Sequence, residues 1–132
     1  MLEFLPIAVA GGVGAVARYM LDGWLAEKGI NKKWKVGGGQ AAIPLSTLII
    51  NAIGSLLLGI LVASSLAAQS PMLLAALGTG FCGGFTTFST ASLEVATMLT
   101  QRRSKEATAL AILMLLVCVA AASLGMAVKA GF

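Results

Sequence analysis

Four long apolar stretches alternate with short polar ones along the chain. They cover residues 4–25, 43–66, 71–99 and 107–128, and no charged residue occurs between Lys35 and Glu94. A helix needs about 20 apolar residues to cross a bilayer, so the pattern predicts four transmembrane helices. Pro44 falls in the first turn of the second helix, where proline is tolerated. Residues 27–40 are expected to form one long exposed loop.

The third apolar stretch contains a segment poorly suited to a regular helix. Four glycines, the last two being Gly83 and Gly84, loosen the backbone, and the β-branched Thr86 and Thr87 follow at once. In lipid, backbone that leaves the helix must be buried in protein or line a watery cavity. We therefore predict a third helix that is broken in mid-membrane, an arrangement that often marks an ion or substrate site.

Composition supports a membrane protein. The chain has 132 residues, of which 58% are apolar and 11% are charged, whereas a soluble domain carries about 25% charged residues. The length predicts one domain, residues 1–132, in the cell membrane. Histidine is absent, which removes the commonest general base, and we find no pairing of a nucleophile with a base. We therefore do not expect an enzyme.

Basic residues concentrate in two polar loops that four spans would place on the same side of the membrane. The first loop holds Lys28, Lys32, Lys33 and Lys35, and the second holds Arg102, Arg103 and Lys105. The positive-inside rule predicts that both loops are cytoplasmic and both termini outside. Attraction to lipid headgroups explains these charges more simply than nucleic-acid binding, so we expect membrane lipid and no nucleic acid as a partner.

Uncharged polar residues recur along the second and third helices. Thr47, Asn51 and Ser55 form a stripe on the second helix, which is suited either to bonding a neighbouring helix or to an anion that has shed water. The third helix continues the polar track. Its members are Thr86, Ser89, Thr90 and Glu94, interleaved with Phe85 and Phe88. Neutral donors and positive ring edges favour a small anion held weakly enough to pass, and they suit a metal cation poorly.

Two charged residues in the predicted helices each have two possible roles. Arg18, near the end of the first helix, either snorkels to the membrane interface or adds positive potential to an anion vestibule. Glu94 is either an interfacial carboxylate or a residue of the ion pathway. Ahead of Arg18, the small residues Gly11 and Gly14 predict close helix packing.

Three motifs resemble those of the CrcB/Fluc fluoride channels. They are residues 11–19 (GGVGAVARY), residues 47–51 (TLIIN) and residues 80–90 (GFCGGFTTFST). The third is very specific, and the resemblance extends over essentially the whole chain.

The resemblance implies a passive channel that lets cytoplasmic fluoride leave the cell. It implies an all-α dimer of two antiparallel four-helix subunits enclosing two pores. A central structural Na⁺ would be held by the backbone carbonyls of Gly83 and Thr86. With the polar residues above, the candidate pore and anion-binding set comprises Arg18, Thr47, Asn51, Phe85, Phe88, Ser89, Thr90, Glu94 and Ser123.

One position departs from the family pattern. Family members usually read Phe-Ser-Thr-Phe, whereas this chain has Ala91 after Phe88, Ser89 and Thr90. The uneven basic residues also fit a single orientation better than the dual orientation that an antiparallel homodimer requires. Our hypothesis is one half of a heterodimer with an oppositely oriented relative, and a homodimer is the alternative. The rival functions are a small multidrug or cation antiporter and a mainly structural subunit.

Overall fold

Four helices long and apolar enough to cross a membrane make up most of the computed structural model, which confirms the four predicted spans. The structure describes residues 4–30, 33–36, 39–42, 45–65 and 69–130, with side chains for 4–30, 45–65 and 69–128. Its spans are α1 (Phe4–Glu27), α2 (Leu45–Ala63), a third span (Pro71–Thr100) and a last helix (Ser104–Ala130). The predicted ends of the second span, residues 43 and 66, lie outside the described residues.

The third span is made of successive helical segments. They are α3 (Pro71–Leu74), a π-helix (Ala75–Cys82), α4 (Gly83–Phe85) and α5 (Phe88–Thr100), and we call the last helix of the chain α6. Ser70 caps the start by accepting a hydrogen bond from the Leu73 N–H at 3.4 Å. All four glycines lie within helical segments. Gly78 and Gly80 lie in the π-helix and Gly83 and Gly84 in α4, so the departure from helix comes just after the glycines, at Thr86 and Thr87.

Two of these glycines, Gly80 and Gly84, allow close contact between the third span and α1. A Cβ at Gly14 would overlap the carbonyl oxygen of Phe81, and one at Gly84 would overlap the carbonyl oxygen of Gly11. Two helix backbones come this near only where side chains are absent. The small-residue packing predicted for Gly11 and Gly14 is confirmed.

A second close contact joins α2 to α6. A Cβ at Gly59 would overlap the carbonyl oxygen of Ala122, and one at Gly125 would overlap that of Leu56. The subunit is therefore built from two closely packed helix pairs, α1 with residues 75–85 and α2 with α6. Helix α5 packs on α6 through a cluster of apolar side chains that includes Ala91, Met98, Ala107, Leu110 and Met114.

The first polar loop contains a β-hairpin. Helix α1 ends where Gly29 takes a φ of 68° and the Ile30 N–H donates to the Leu25 carbonyl oxygen, a Schellman motif. Strands β1 (Lys33–Val36) and β2 (Gly39–Ala42) then pair antiparallel. The long loop predicted over residues 27–40 therefore contains strand structure that the sequence did not indicate.

We predict that Gly14→Ala lowers the free energy of unfolding in detergent by about 1–3 kcal/mol, the usual range for overpacking. Gly12→Ala is the matched control, since a Cβ there meets nothing within 4 Å. Both changes gain about 1 kcal/mol of helix propensity, so only the contact with Phe81 separates them. Equal thermal stability of the two variants would contradict the close-packing account.

Candidate ion-pathway site

Two residues interrupt the helical backbone of the third span. Thr86 has φ −79° and ψ 161°, and Thr87 has φ −144° and ψ 114°, both of which are extended conformations. Helix α4 ends immediately before them at Phe85 and α5 begins immediately after them at Phe88. The backbone groups around this point therefore need partners other than the regular helical ones.

Asn51 of α2 supplies partners for Thr87. Its Oδ1 accepts a hydrogen bond from the Thr87 N–H at 2.8 Å, and its Nδ2 donates to the Thr87 carbonyl oxygen at 3.0 Å. One amide side chain thus pairs both backbone groups of the same residue, as a neighbouring strand would. Gly54, one turn further along α2, lies against the Thr86 methyl group, where any added Cβ would overlap it.

These bonds deprive two backbone carbonyl groups of their usual helical hydrogen-bond donors. In a continuous α-helix, the carbonyl of Gly83 would accept from the Thr87 N–H and that of Thr86 would accept from the Thr90 N–H. Here the Thr87 N–H donates to Asn51, and the Thr90 N–H donates to the Thr87 hydroxyl at 3.1 Å. Gly83 and Thr86 therefore lose the donors that a continuous helix would give them.

A group of hydroxyls surrounds the start of α5. The Thr87 hydroxyl caps the helix, donates to Thr90 Oγ1 at 2.9 Å and lies 3.2 Å from Ser89 Oγ. The first N–H groups of a helix lack partners within it and carry partial positive charge. This end of α5 thus presents hydroxyls and backbone donors without any formal charge.

The interruption opens onto a groove of about 680 Å³ on one side of the subunit. Asn51, Gly83, Thr86, Thr87 and Phe88 line it, among mainly apolar residues of α2, α5 and α6. The ring of Phe88 is 88% exposed. These residues therefore lie uncovered along an open, largely apolar groove.

Thr47 and Glu94 meet away from the groove. The buried Thr47 hydroxyl donates to Glu94 Oε1 at 2.7 Å. The other oxygen, Oε2, is buried and has no hydrogen-bond partner among the residues that the structure describes. Glu94 lies in the middle of α5, about 9 Å along the helix from Thr100.

Arg18 approaches the interruption from the opposite side. Its Nε donates to the carbonyl oxygen of Gly84 at 3.4 Å. This contact adds a third possibility to snorkelling and a vestibule role, because the guanidinium supplies a donor to a carbonyl near the end of α4. Arg18 and Asn51 thus hold the backbone on either side of Thr86.

Two predicted pore residues are placed elsewhere. The ring of Phe85 is 5% exposed, stacks on Phe81 with centroids 5.9 Å apart, and packs with Leu25 and Ile50 in the subunit core. Phe85 therefore packs in the core of this chain, and its place on the anion path stays a prediction. Ser123 is exposed on α6 and does not line the groove.

Sequence reasoning missed the part played by Thr87. Threonine is one of the residues that commonly cap the start of a helix, but the surrounding apolar run hid this signal. Ser92 was also missed. It lies one turn after Phe88 and lines the groove with it.

Comparisons with known proteins agree with a multi-pass membrane protein. A sequence profile described as "CrcB-like protein, Camphor Resistance (CrcB)" matches residues 5–126. The chain therefore belongs to the CrcB-like family.

Three relatives extend this result. The protein called fluoride-specific ion channel FluC 2 of Cutibacterium acnes is 50% identical over 97 residues, 72% of this chain and 71% of that protein. FluC 1 of Leifsonia xyli is 40% identical over 126 residues, 95% of this chain and 85% of that protein. FluC 3 of Bifidobacterium longum is 43% identical over 129 residues, 95% of this chain and 98% of that protein. Both of these are also called fluoride-specific ion channels.

We predict that Asn51→Leu destabilises the protein by about 2 kcal/mol or more, because both Thr87 groups lose their partner and each unpaired buried group costs about 1–3 kcal/mol. Thermal unfolding in detergent measures the effect. Ser55→Ala is the matched control, since Ser55 lines the same groove one turn along α2. If the two variants are equally stable, Asn51 does not hold the backbone as described.

Proposed function

We propose that the protein is a passive channel selective for fluoride, through which cytoplasmic F⁻ leaves the cell. The observation that carries the proposal is identity of 40–50% to relatives called fluoride-specific ion channels, over most of the chain. The site geometry agrees with this function because uncharged donors gather at one helix start. A fixed cation would hold a small anion too tightly, whereas conduction needs several weak sites.

The anion contacts would come from the start of α5. Phe88 offers an exposed ring edge, and Ser89 and Thr90 offer hydroxyls beside it. Asn51 receives a different role from the one that the sequence suggests, because both ends of its amide already pair with Thr87. It would position the anion path by holding the backbone at the interruption, which we place within the membrane.

A structural Na⁺ fits the donor set of the same interruption. Gly83 and Thr86 line one groove, and their carbonyls lack the donors of a continuous helix. Carbonyl oxygens suit hard cations, and such groups need a donor or a cation when water is excluded. Two freed carbonyls are too few to coordinate a cation, so a second subunit would have to complete the coordination.

The open groove also supports an antiparallel dimer with two pores. It exposes Phe88 and the interrupted backbone along a mainly apolar surface. A second four-helix subunit placed there would cover this surface and enclose the anion path between the two chains. Either a homodimer or a heterodimer with an oppositely oriented relative satisfies this requirement.

Ala91 favours the heterodimer. It is 9% exposed and packs against Met114, yet it also borders the groove. A phenylalanine at this position would extend a second ring toward the groove beside Phe88. The partner would then have to supply the missing ring to at least one pore.

A cation antiporter is the second candidate, and Glu94 is the observation that favours it. An antiporter needs a carboxylate deep in a helix to exchange protons for cations, and the buried, unpartnered Oε2 of Glu94 has that character. Transport driven by a proton gradient would support this candidate. Transport driven by voltage alone supports the channel.

We predict only weak fluoride efflux from liposomes that contain this chain alone, because Ala91 leaves the second ring missing; the efflux is followed with a fluoride electrode while K⁺ and valinomycin hold the voltage. Efflux should exceed that of protein-free liposomes, spare chloride and not require a proton gradient. Ala91→Phe should conduct faster than the natural chain, because it restores the second ring. A thermal unfolding measurement checks that this variant folds.

The outcomes separate the proposals. No fluoride efflux from either a folded Ala91→Phe variant or the natural chain would contradict a homodimeric fluoride channel. Robust efflux from the natural chain, equal to that of the variant, would overturn the heterodimer hypothesis and leave a homodimeric channel.

We also predict that conduction depends on Na⁺. Replacing Na⁺ by N-methylglucamine during reconstitution should abolish efflux, because this large cation does not fit between the carbonyls of Gly83 and Thr86. Adding Na⁺ back should restore the flux. Unchanged efflux in protein that never met Na⁺ would rule out the structural cation.

A further inference from the structure

Gly54 of α2 lies against the interruption of the third span, beside Asn51. The two residues are three positions apart, so they are neighbours on one face of the helix. Asn51 pairs with the backbone of Thr87, whereas Gly54 is buried against the neighbouring Thr86. Helix α2 therefore contacts both extended residues, one through an amide side chain and the other at a position that has no side chain.

The Thr86 methyl group occupies the space that a side chain at position 54 would need. A Cβ on Gly54 would overlap the Thr86 Cγ2 atom and would lie 3.3 Å from Cδ1 of Phe85. The contact with the ring is only slightly tight, so the methyl group is what excludes a larger residue. Gly54 lies inside the regular helix α2, so its backbone conformation does not itself require glycine.

The Thr86 hydroxyl holds this methyl group in place. Thr86 Oγ1 donates to the Cys82 carbonyl oxygen at 2.9 Å, and the Thr86 N–H donates to the same oxygen at 2.9 Å. Both branches of a threonine side chain leave from Cβ, so a rotation that moved the methyl group would also break the bond of the hydroxyl. A side chain at position 54 would therefore displace the whole of Thr86, including its backbone.

Such a displacement would turn the carbonyl group of Thr86. This carbonyl and the Thr87 N–H belong to one planar peptide unit, in which the two groups point in opposite directions. Asn51 holds the N–H at 2.8 Å, so the carbonyl points away from Asn51. Because the unit is fixed at Thr87, a push on Thr86 would rotate it. Asn51 and Gly54 therefore determine together where the freed Thr86 carbonyl points.

We propose that Gly54 is a positioning residue for the cation site. By lacking a side chain, it allows the peptide unit between Thr86 and Thr87 to take the orientation in which the Thr86 carbonyl can bind Na⁺. This inference rests on the structural Na⁺ of the proposed function. Residues that orient the ligands of a metal without touching it commonly change its affinity about 10–100-fold when they are replaced.

The stability of the full-length protein in Na⁺ tests the proposal without a measurement of fluoride. The protein is purified in detergent with N-methylglucamine as the added cation, and thermal unfolding is followed as NaCl replaces N-methylglucamine chloride at constant chloride. Na⁺ that binds the folded state raises the unfolding temperature, and the rise gives an apparent dissociation constant. We expect Gly54→Ala to increase this constant about tenfold or more.

Thr86→Ser provides a rescue, because serine keeps the carbonyl and the hydroxyl and removes only the methyl group. In the Thr86→Ser background, Gly54→Ala should leave the Na⁺ dissociation constant close to that of Thr86→Ser alone. It should also lower the unfolding temperature much less than in the natural chain. The 3.3 Å contact with the Phe85 ring remains, so a small loss of stability should persist. This double-mutant cycle isolates the contact between positions 54 and 86.

Gly59→Ala is the matched control for overpacking on the same helix. A Cβ there would overlap the carbonyl oxygen of Ala122 in α6, away from Thr86. This variant should lower the unfolding temperature. It should not weaken Na⁺ binding, and Thr86→Ser should not relieve its effect.

Three results would overturn the role of Gly54 alone. They are an equal effect of Gly54→Ala in both backgrounds, a Na⁺ constant of Gly54→Ala that matches the natural chain, and an equal weakening of Na⁺ binding by Gly59→Ala. If Gly54→Ala does not fold, the double variant with Thr86→Ser decides, since its folding supports the contact and its failure contradicts it. A natural chain that Na⁺ does not stabilise would instead remove the structural cation, and with it this role for Gly54.

Discussion

The two hydrogen bonds between Asn51 and the backbone of Thr87 are the interaction on which the site depends. They stabilise an extended residue in a span that otherwise consists of helix. By taking the Thr87 N–H, Asn51 removes the helical donor of the Gly83 carbonyl. Because a new helix begins at Phe88, directly after the extended residues, the first N–H groups of α5 have no partners within a helix. One side chain thus exposes acceptors on one side of the interruption and donors on the other. This is the combination that a cation site next to an anion path requires.

The rest of the subunit holds this interruption in place. Direct backbone contacts at glycines bring the helices close together: Gly14 of α1 lies against Phe81 of the third span, and Gly59 of α2 lies against Ala122 of α6. These contacts fix how α2 faces the third span. Arg18 donates to the Gly84 carbonyl from the α1 side while Asn51 acts from the α2 side. Cores packed at this density shift little. The position of the freed carbonyls therefore follows from helix packing as much as from local backbone preference.

The sequence was sufficient for some of this and not for the rest. Apolar runs of spanning length determine the four helices, and small residues at helical spacing indicate close contact. The sequence does not show whether a glycine makes the backbone flexible or lets two helices pack closely. Here Gly80 and Gly84 let the third span pack closely against α1. Phe85 and Phe88 are three residues apart and look equivalent, but the interruption between them sends one ring to the core and leaves the other exposed. The bond from Asn51 to Thr87 joins residues 36 apart, so no local pattern predicts it. The hairpin was missed because four residues per strand are too few to show clear alternation.

The central claim is that the interrupted third span forms a path for fluoride and excludes other anions. The reversal potential of the reconstituted channel in a planar bilayer tests this most directly, with a tenfold fluoride gradient and equal chloride on both sides. The account predicts a reversal potential near the fluoride equilibrium value, about 59 mV for an ion of one charge. A potential near zero, which a path shared with chloride or a cation would give, would contradict it.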